Sequence, residues 1–188
     1  MFLSHETAFQ TFAPVPPIAA LDHNITTCGA TLLDTETGWK PARALKAGDS
    51  VATLDGGFTQ IRSVSTAAPT QLIHVPGGTL GACTDLLLPA TASVALHVPA
   101  SISDAPILSV PLQALCGWQG IRRQPDHRAA LTTLTFADEE MVYAQTGLLL
   151  HTDNAEPGFF QRKSYGETRA LLALWSGRLP APDYAAAA

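Results

Sequence analysis

Charge is scarce in this sequence: only 14% of its 188 residues are Asp, Glu, Lys or Arg. A chain so poor in charge, and 46% apolar, is no disordered polyampholyte, and its length suffices for one domain with a real core. Basic residues number 11 against 16 acidic ones, a net charge of -5. That balance argues against nucleic acid or an anionic membrane as partner, since both attract a basic surface. Cysteine is nearly absent. Cys28, Cys83 and Cys116 form no close pair, so they supply neither a disulfide framework nor a zinc site, and a reducing compartment is the simpler expectation. The six histidines show no H-x-x-x-H or H-E-x-x-H spacing, so no metal or other cofactor is expected. No apolar run approaches the ~20 residues of a membrane-spanning helix. Met1 to Glu6 lack the basic start and long apolar stretch of a signal peptide, which points to a cytoplasmic protein unless export takes a signal-less route.

Glycine and proline, in contrast, are plentiful at 14 each, as suits many short strands and turns. The stretch from Thr26 to Ser65 organises the rest. Two apolar runs, Ala30 to Leu33 and Ser50 to Leu54, read as strands. Asp34 to Gly38 and Asp55-Gly56-Gly57 read as the turns that follow them. An Asp-Gly pair before an alternating run is a hairpin cue, because those residues tolerate positive φ. Phe58 to Val64 alternates and reads as one half-exposed strand. Pro41 to Leu45 can make one helical turn, which Gly48-Asp49 breaks.

Ahead of this stretch, Pro14, Pro16 and Pro17 exclude a long helix or central strand. Residues 1–25 therefore read as an arm, with Asp22-His23-Asn24 as a turn. Further strands are expected at 71–75, 92–98, 107–110, 131–137, 140–144 and 147–151, with Leu86 to Leu88 buried. Pro111 to Leu115 reads as a helical turn, and Arg122 to Arg128 as a polar loop. Ser164-Tyr165-Gly166-Glu167 has the capping-box spacing and opens a helix over about 165–176. Its expected buried face is Leu171, Leu174 and Trp175, with Gly177 as its stop. Residues 179–188 read as a flexible tail.

The order A-T-L-L-x-T-x-x-G-x-x-P-x-x-x-L-x-A-G-D-x-V-x-T-x-D-G-G, running from Ala30 to Gly57, resembles the opening of a Hint (Hedgehog/intein) domain, most of all the bacterial stand-alone type. The resemblance continues through Leu80-Gly81, Asp85 to Leu88, Pro106 to Leu115 and Phe136 to Gly147. It implies an all-β, horseshoe-shaped fold of short antiparallel strands with a C-terminal helix, over residues 26–178.

It also implies a chemistry. An autoprocessing Hint domain cuts the bond before its own first Cys, whose sulfur attacks the preceding carbonyl while a histidine protonates the amide. The family spacing puts the nucleophile five residues before Thr31, at Thr26, whose hydroxyl is hindered and poorly acidic. Cys28 lies two residues later, on the same strand face but about 6–7 Å along an extended chain. The family histidine falls on Ala92, which has no proton to give. A second family histidine falls on Glu139, while the glutamate after it is kept as Glu140. Glu139 and Glu140 face opposite ways in a strand, so they form no acid/base pair. His151 reads as a surface or core histidine. The resemblance thus implies a degenerate Hint domain acting as a non-catalytic module that binds an unidentified protein or peptide around Thr26, Cys28, Asp85, Ala92 and Glu140. One alternative is slow self-cleavage before Cys28 by an N-to-S acyl shift. Another is an unrelated all-β domain.

Overall fold

The computed structural model describes residues 22–55, 57–125, 129–152 and 158–177. Strands follow one another along the chain as β1 (His23–Cys28), β2 (Leu32–Leu33), β3 (Lys40–Pro41), β4 (Ser50–Ala52), β5 (Phe58–Gln60), β6 (Ser63–Ala67), β7 (Leu72–Val75), β8 (Leu86–Pro89), β9 (Ser93–His97), β10 (Ile107–Pro111), β11 (Arg122–Gln124), β12 (Leu131–Phe136), β13 (Met141–Ala144) and β14 (Leu148–His151). One helix, α1 (Tyr165–Ser176), closes the described chain. The architecture is therefore all-β with a C-terminal helix, as expected.

The strands form four sheets, ordered β1-β12-β6, β10-β9-β14-β13-β2-β3, β11-β7-β8 and β4-β5. Every strand pair among the described residues is antiparallel. Leu33, Val51, Ile73, Leu88, Val94, Leu108, Leu134, Phe136, Val142 and Leu150 meet in the main core. The strands on either side of Asp55-Gly56-Gly57 pair as a hairpin requires, Val51 opposite Thr59, while Gly56 itself lies outside the described residues. Ala42–Ala44 and Leu112–Leu115 each make a short 3-10 turn, entered from Pro41 and Pro111. Proline fits there because its fixed φ suits the approach and its missing N–H is not needed.

Four sequence expectations need correction. Asp22-His23-Asn24 is not wholly a turn: β1 begins at His23, and His23 and Asn24 pair with Phe136 and Thr135. The Asn24 carboxamide accepts the Thr135 hydroxyl at 2.8 Å, so the strand starts ahead of the boundary drawn at 25/26. Phe58 to Val64 is two strands, because Ile61 turns into the core and its N–H goes to the Asp49 carbonyl. Arg122 to Gln124 is a strand on β7, with Arg123 opposite Ile73; a polar edge strand carries no alternation strong enough to read. On α1 the buried residues are Thr168, Leu171 and Leu172, and Leu174 is 76% exposed. Trp175 packs on Trp118, ring centroids 5.6 Å apart. The helix start was legible: the Ser164 hydroxyl accepts the Glu167 N–H and Glu167 reaches back to the Ser164 N–H. Gly177, at φ 63°, ends it in the left-handed region. Residues 1–21, 56, 126–128, 153–157 and 178–188 lie outside the described residues, and with them the proline arm and the tail.

The hairpin β13–β14 turns through Gln145 and Thr146 at φ 48° and 67°, values that favour glycine or asparagine. Just beyond it, Gly147 lies against Gly81, which itself has φ 82°. A Cβ on Gly81 would sit 2.6 Å from the Gly147 carbonyl oxygen. Gly81→Ala is therefore expected to destabilise the fold by about 2 kcal/mol or more, from left-handed strain plus the backbone clash. A denaturant midpoint within error of the parent would refute the close approach.

Candidate functional site

The structure sorts the sequence-derived site residues into three places. Thr26 and Ala92 meet. They line one cavity of about 170 Å³ with Asn24, Ile25, Thr91, Ser93, Leu150 and His151. Strand β1 brings Thr26 to it, the turn before β9 brings Ala92, and the end of β14 brings His151. The Thr26 hydroxyl is bonded to that of Thr133, directly opposite on β12, at 2.8 Å.

Cys28 and Asp85 meet in a second cavity, of about 250 Å³, with Ala30, Thr31, His74, Leu86, Leu87 and Gln145. Cys28 ends β1 opposite Leu131 and packs with Leu72 and Leu131. Burial pushes its thiol up to about 11, because a thiolate is disfavoured away from water. Asp85 accepts the Gly77 N–H at 2.8 Å on one oxygen and faces the His74 Nε2 at 3.0 Å with the other. First the Gly77 N–H and then the His74 ring hold its carboxyl below the usual range. No hydrogen bond joins the Cys28 thiol to a base among the described residues.

Glu140 lines neither cavity. Its carboxyl sits against Thr59 and near Asp55 and Asp138. Burial, then the repulsion of those two aspartates, raises it, and the Thr59 contact only partly opposes them. Glu139 and Glu140 lie in the connection before β13, not in a strand, and their carboxyls go to different partners, His151 and Arg162 for one and Thr59 for the other.

Sequence reading did not find the arrangement around Glu139. The Ser109 hydroxyl and His151 Nδ1 are 2.8 Å apart, and His151 Nε2 lies 2.9 Å from a Glu139 oxygen. The same oxygen accepts from Arg162 Nη2 at 3.0 Å, and the other accepts from the Phe159 and Phe160 N–H groups. The His151 side chain is fully buried and that of Glu139 is 8% exposed. Burial alone would raise the Glu139 carboxyl. Arg162, the Phe159 N–H and His151 outweigh it, and the net effect is a value below the usual glutamate range. Serine, histidine and glutamate in a row have the make-up of a hydrolytic triad. Here the serine is 3% exposed, its backbone N–H and C=O bond Gln161 and Lys163, and an arginine neutralises the glutamate. The row fastens the segment before α1 across the sheet.

These residues come from β10, β14 and two connections, with no local spacing to announce them. One signal was present: a histidine in the apolar run Leu148 to His151, in a chain with an unassigned Glu139, is a buried polar group in need of a partner.

No protein-family model matches the sequence, and no curated protein matches it. Among solved structures the chain is similar to an intein-like domain from Clostridium thermocellum, at 12% identity and a TM-score of 0.49, over 67% of this chain and 97% of that one. It is similar also to the Msm DnaB1 intein splicing domain, at 17% identity and a TM-score of 0.47, over 68% and 99% of the two chains.

Proposed function

We propose that this chain is a Hint-type domain that keeps its own backbone intact and acts as a non-catalytic binding or assembly module. The Hint-type reading is supported by the motif order from Ala30 to Gly57 and by the meeting of Thr26 and Ala92 on one cavity. Those are the positions where that family's resemblance calls for nucleophile and acid. The observation that carries the non-catalytic reading is the state of the groups at these positions. At the nucleophile position stands a threonine hydroxyl already bonded to Thr133. At the acid position stands a methyl group. The nearby histidine, His151, has one ring nitrogen on Ser109 and the other on Glu139, so neither is available to protonate a leaving amide. Cys28 sits in the other cavity with its thiol pushed up to about 11, almost wholly protonated at neutral pH.

Self-cleavage before Cys28 is the reading this one competes with. The two differ in intact mass. Freshly purified protein held with dithiothreitol or hydroxylamine at neutral pH is expected to stay a single species of 19.8 kDa. Cys28→Ala is expected to change nothing in that result. A fragment beginning at Cys28, lost in Cys28→Ala, would overturn the proposal.

A further inference from the structure

We infer that the cavity beside Cys28 binds a branched aliphatic group that carries a neutral amide, either a free amide or part of a peptide. The inference rests on reading the domain as a binding module and names the site and ligand class.

The cavity of about 250 Å³ exceeds the volume that holds a benzene ring in an engineered apolar cavity, about 150 Å³. Ala30, Leu86, Leu87 and Cys28 give it apolar walls, which suit a branched aliphatic body. Besides the His74 ring, whose Nδ1 is buried without a hydrogen-bond partner among the described residues, two polar groups on its wall have capacity to spare. The Gln145 carboxamide oxygen accepts the Thr84 hydroxyl at 3.3 Å, while its NH2 makes no hydrogen bond among the described residues. Asp85 takes one donor on each oxygen, yet its side chain is 70% exposed, so lone pairs remain. One unused donor and one unused acceptor match an amide, whose carbonyl accepts from Gln145 and whose N–H donates to Asp85. An ammonium group would serve Asp85 and leave the Gln145 donors unmatched. A carboxylate would be repelled by the charge on Asp85.

The placing of Gln145 points the same way. It is held at φ 48°, beside Thr146 at φ 67°, in a hairpin connection that asparagine or glycine would form without strain. The Gly81–Gly147 contact locks that turn onto the loop that carries Asp85. Strained non-glycine backbone at a cavity wall is a mark of a binding site.

The test uses the full chain and three probes of equal size: isobutyramide, isobutylamine and isobutyrate. The readout is the rate at which methyl methanethiosulfonate modifies Cys28 at alkaline pH, with exposed Cys83 as internal reference. Isobutyramide at about four times its dissociation constant is expected to slow Cys28 about five-fold and leave Cys83 unchanged. The other two probes are expected to slow it less than about two-fold. In Gln145→Gly, which relieves the backbone strain and removes the carboxamide, the protection should vanish. If Cys28 reacts too slowly to follow, the nitrogen–proton correlation of the Gln145 side-chain NH2 replaces the rate and should shift with the amide alone. Equal effects of the three probes, no effect of any, or protection that survives Gln145→Gly would overturn the inference. N-acetyl-valine methylamide distinguishes the sources: protection at lower concentration than isobutyramide identifies a peptide, and the reverse a free amide. Intact mass on the same sample separates the two levels. An intact chain without protection sinks only this inference, whereas cleavage before Cys28 sinks the module reading.

Discussion

Glu139→Ala is expected to cost about 3–5 kcal/mol of folding stability, the range seen when one partner is removed from a buried charge network. The carboxylate accepts from four donors: His151 Nε2, Arg162 Nη2 and the Phe159 and Phe160 N–H groups. Taking it away leaves the fully buried His151 ring and the half-buried Arg162 without their common acceptor. The cost comes mainly from those stranded groups rather than from lost attraction. Since 158–163 crosses the face formed by Ala95, Met141 and Leu149, where Phe160 packs, that segment should loosen first, and α1 with it. Urea unfolding followed by tryptophan fluorescence measures the effect well, because Trp118 and Trp175 pack against one another at this end of the fold. A loss below about 1 kcal/mol would show the network to be incidental.

The same network sets an acid limit. The folded value of Glu139 lies below its ordinary one, so in the interval between them the unfolded chain binds more protons than the folded one. Stability therefore rises with pH through that interval. The contribution is complete above the ordinary glutamate value of about 4.3 and is lost as pH falls through the lowered folded value. Glu139→Gln keeps the shape and discards the titration. Its urea midpoint should be lower than the parent's at neutral pH, and the gap should narrow as the pH is taken below about 4. A gap that stays constant would mean that the carboxyl is not held low by Arg162, the Phe159 N–H and His151.

What the sequence made legible follows from the range over which each signal acts. Local chemistry read well. The capping box at Ser164, the β4–β5 pairing, the proline-entered turns at Ala42–Ala44 and Leu112–Leu115 and the apolar strands are all written in neighbouring residues. Where several principles compete at one position, the reading failed. Leu174 falls three residues after Leu171 and Trp175 four, yet Leu174 faces water, because the helix packs on the Leu112–Leu115 turn and β10 over a stripe centred on Thr168, Leu171 and Leu172. The polar Arg122–Gln124 forms a strand because β7 offers it a partner, not because of its own pattern. Asparagine favours turns, so Asn24 reads as a turn residue, but Thr135 gives its side chain a partner across the strands.

The candidate site divides along the same line. That Thr26 and Ala92 meet was implied by a motif resemblance, which carries long-range information that no local rule contains. That Cys28 turns to another cavity was not, although the shift of two residues already placed the sulfur about 6–7 Å further along the strand. Asp85 meets His74 across the β7–β8 hairpin and Glu139 meets His151 across the β13–β14 hairpin, whereas Ser109 comes to His151 from a distant segment through strand order. Ser109 reaches His151 across β9 because the residue opposite it there is Ala95, small enough to leave the way open. Sequence could report that a buried histidine needs a partner, and only the fold could report which one it gets.

The double change Thr26→Cys with Ala92→His is expected to take the chain from no cleavage to measurable self-cleavage between Ile25 and position 26. Both positions line the cavity of about 170 Å³, and an imidazole has room where Ala92 now leaves only a methyl. The new thiol would attack the Ile25 carbonyl carbon, so that a carbon–sulfur bond forms as the carbon–nitrogen bond breaks. The new imidazolium would give its proton to the departing amine. Dithiothreitol would then take the acyl group by thioester exchange and release a fragment of 163 residues (188 − 25). Each single change should fail for its own reason: the thiol alone lacks an acid to protonate the amine, and the imidazole alone faces a hindered hydroxyl. His151 cannot substitute, since Ser109 and Glu139 hold both of its ring nitrogens. Intact mass against time, for both single variants and the double, reads the outcome. A 163-residue fragment from the double variant alone would identify the Thr26–Ala92 cavity as the place that decides whether this chain cleaves itself. An intact double variant that still folds would mean that more than two side chains separate this chain from an autoprocessing one, beginning with the pairing of His23 to Ile25 along β12, which holds the Ile25 carbonyl in a strand instead of presenting it for attack.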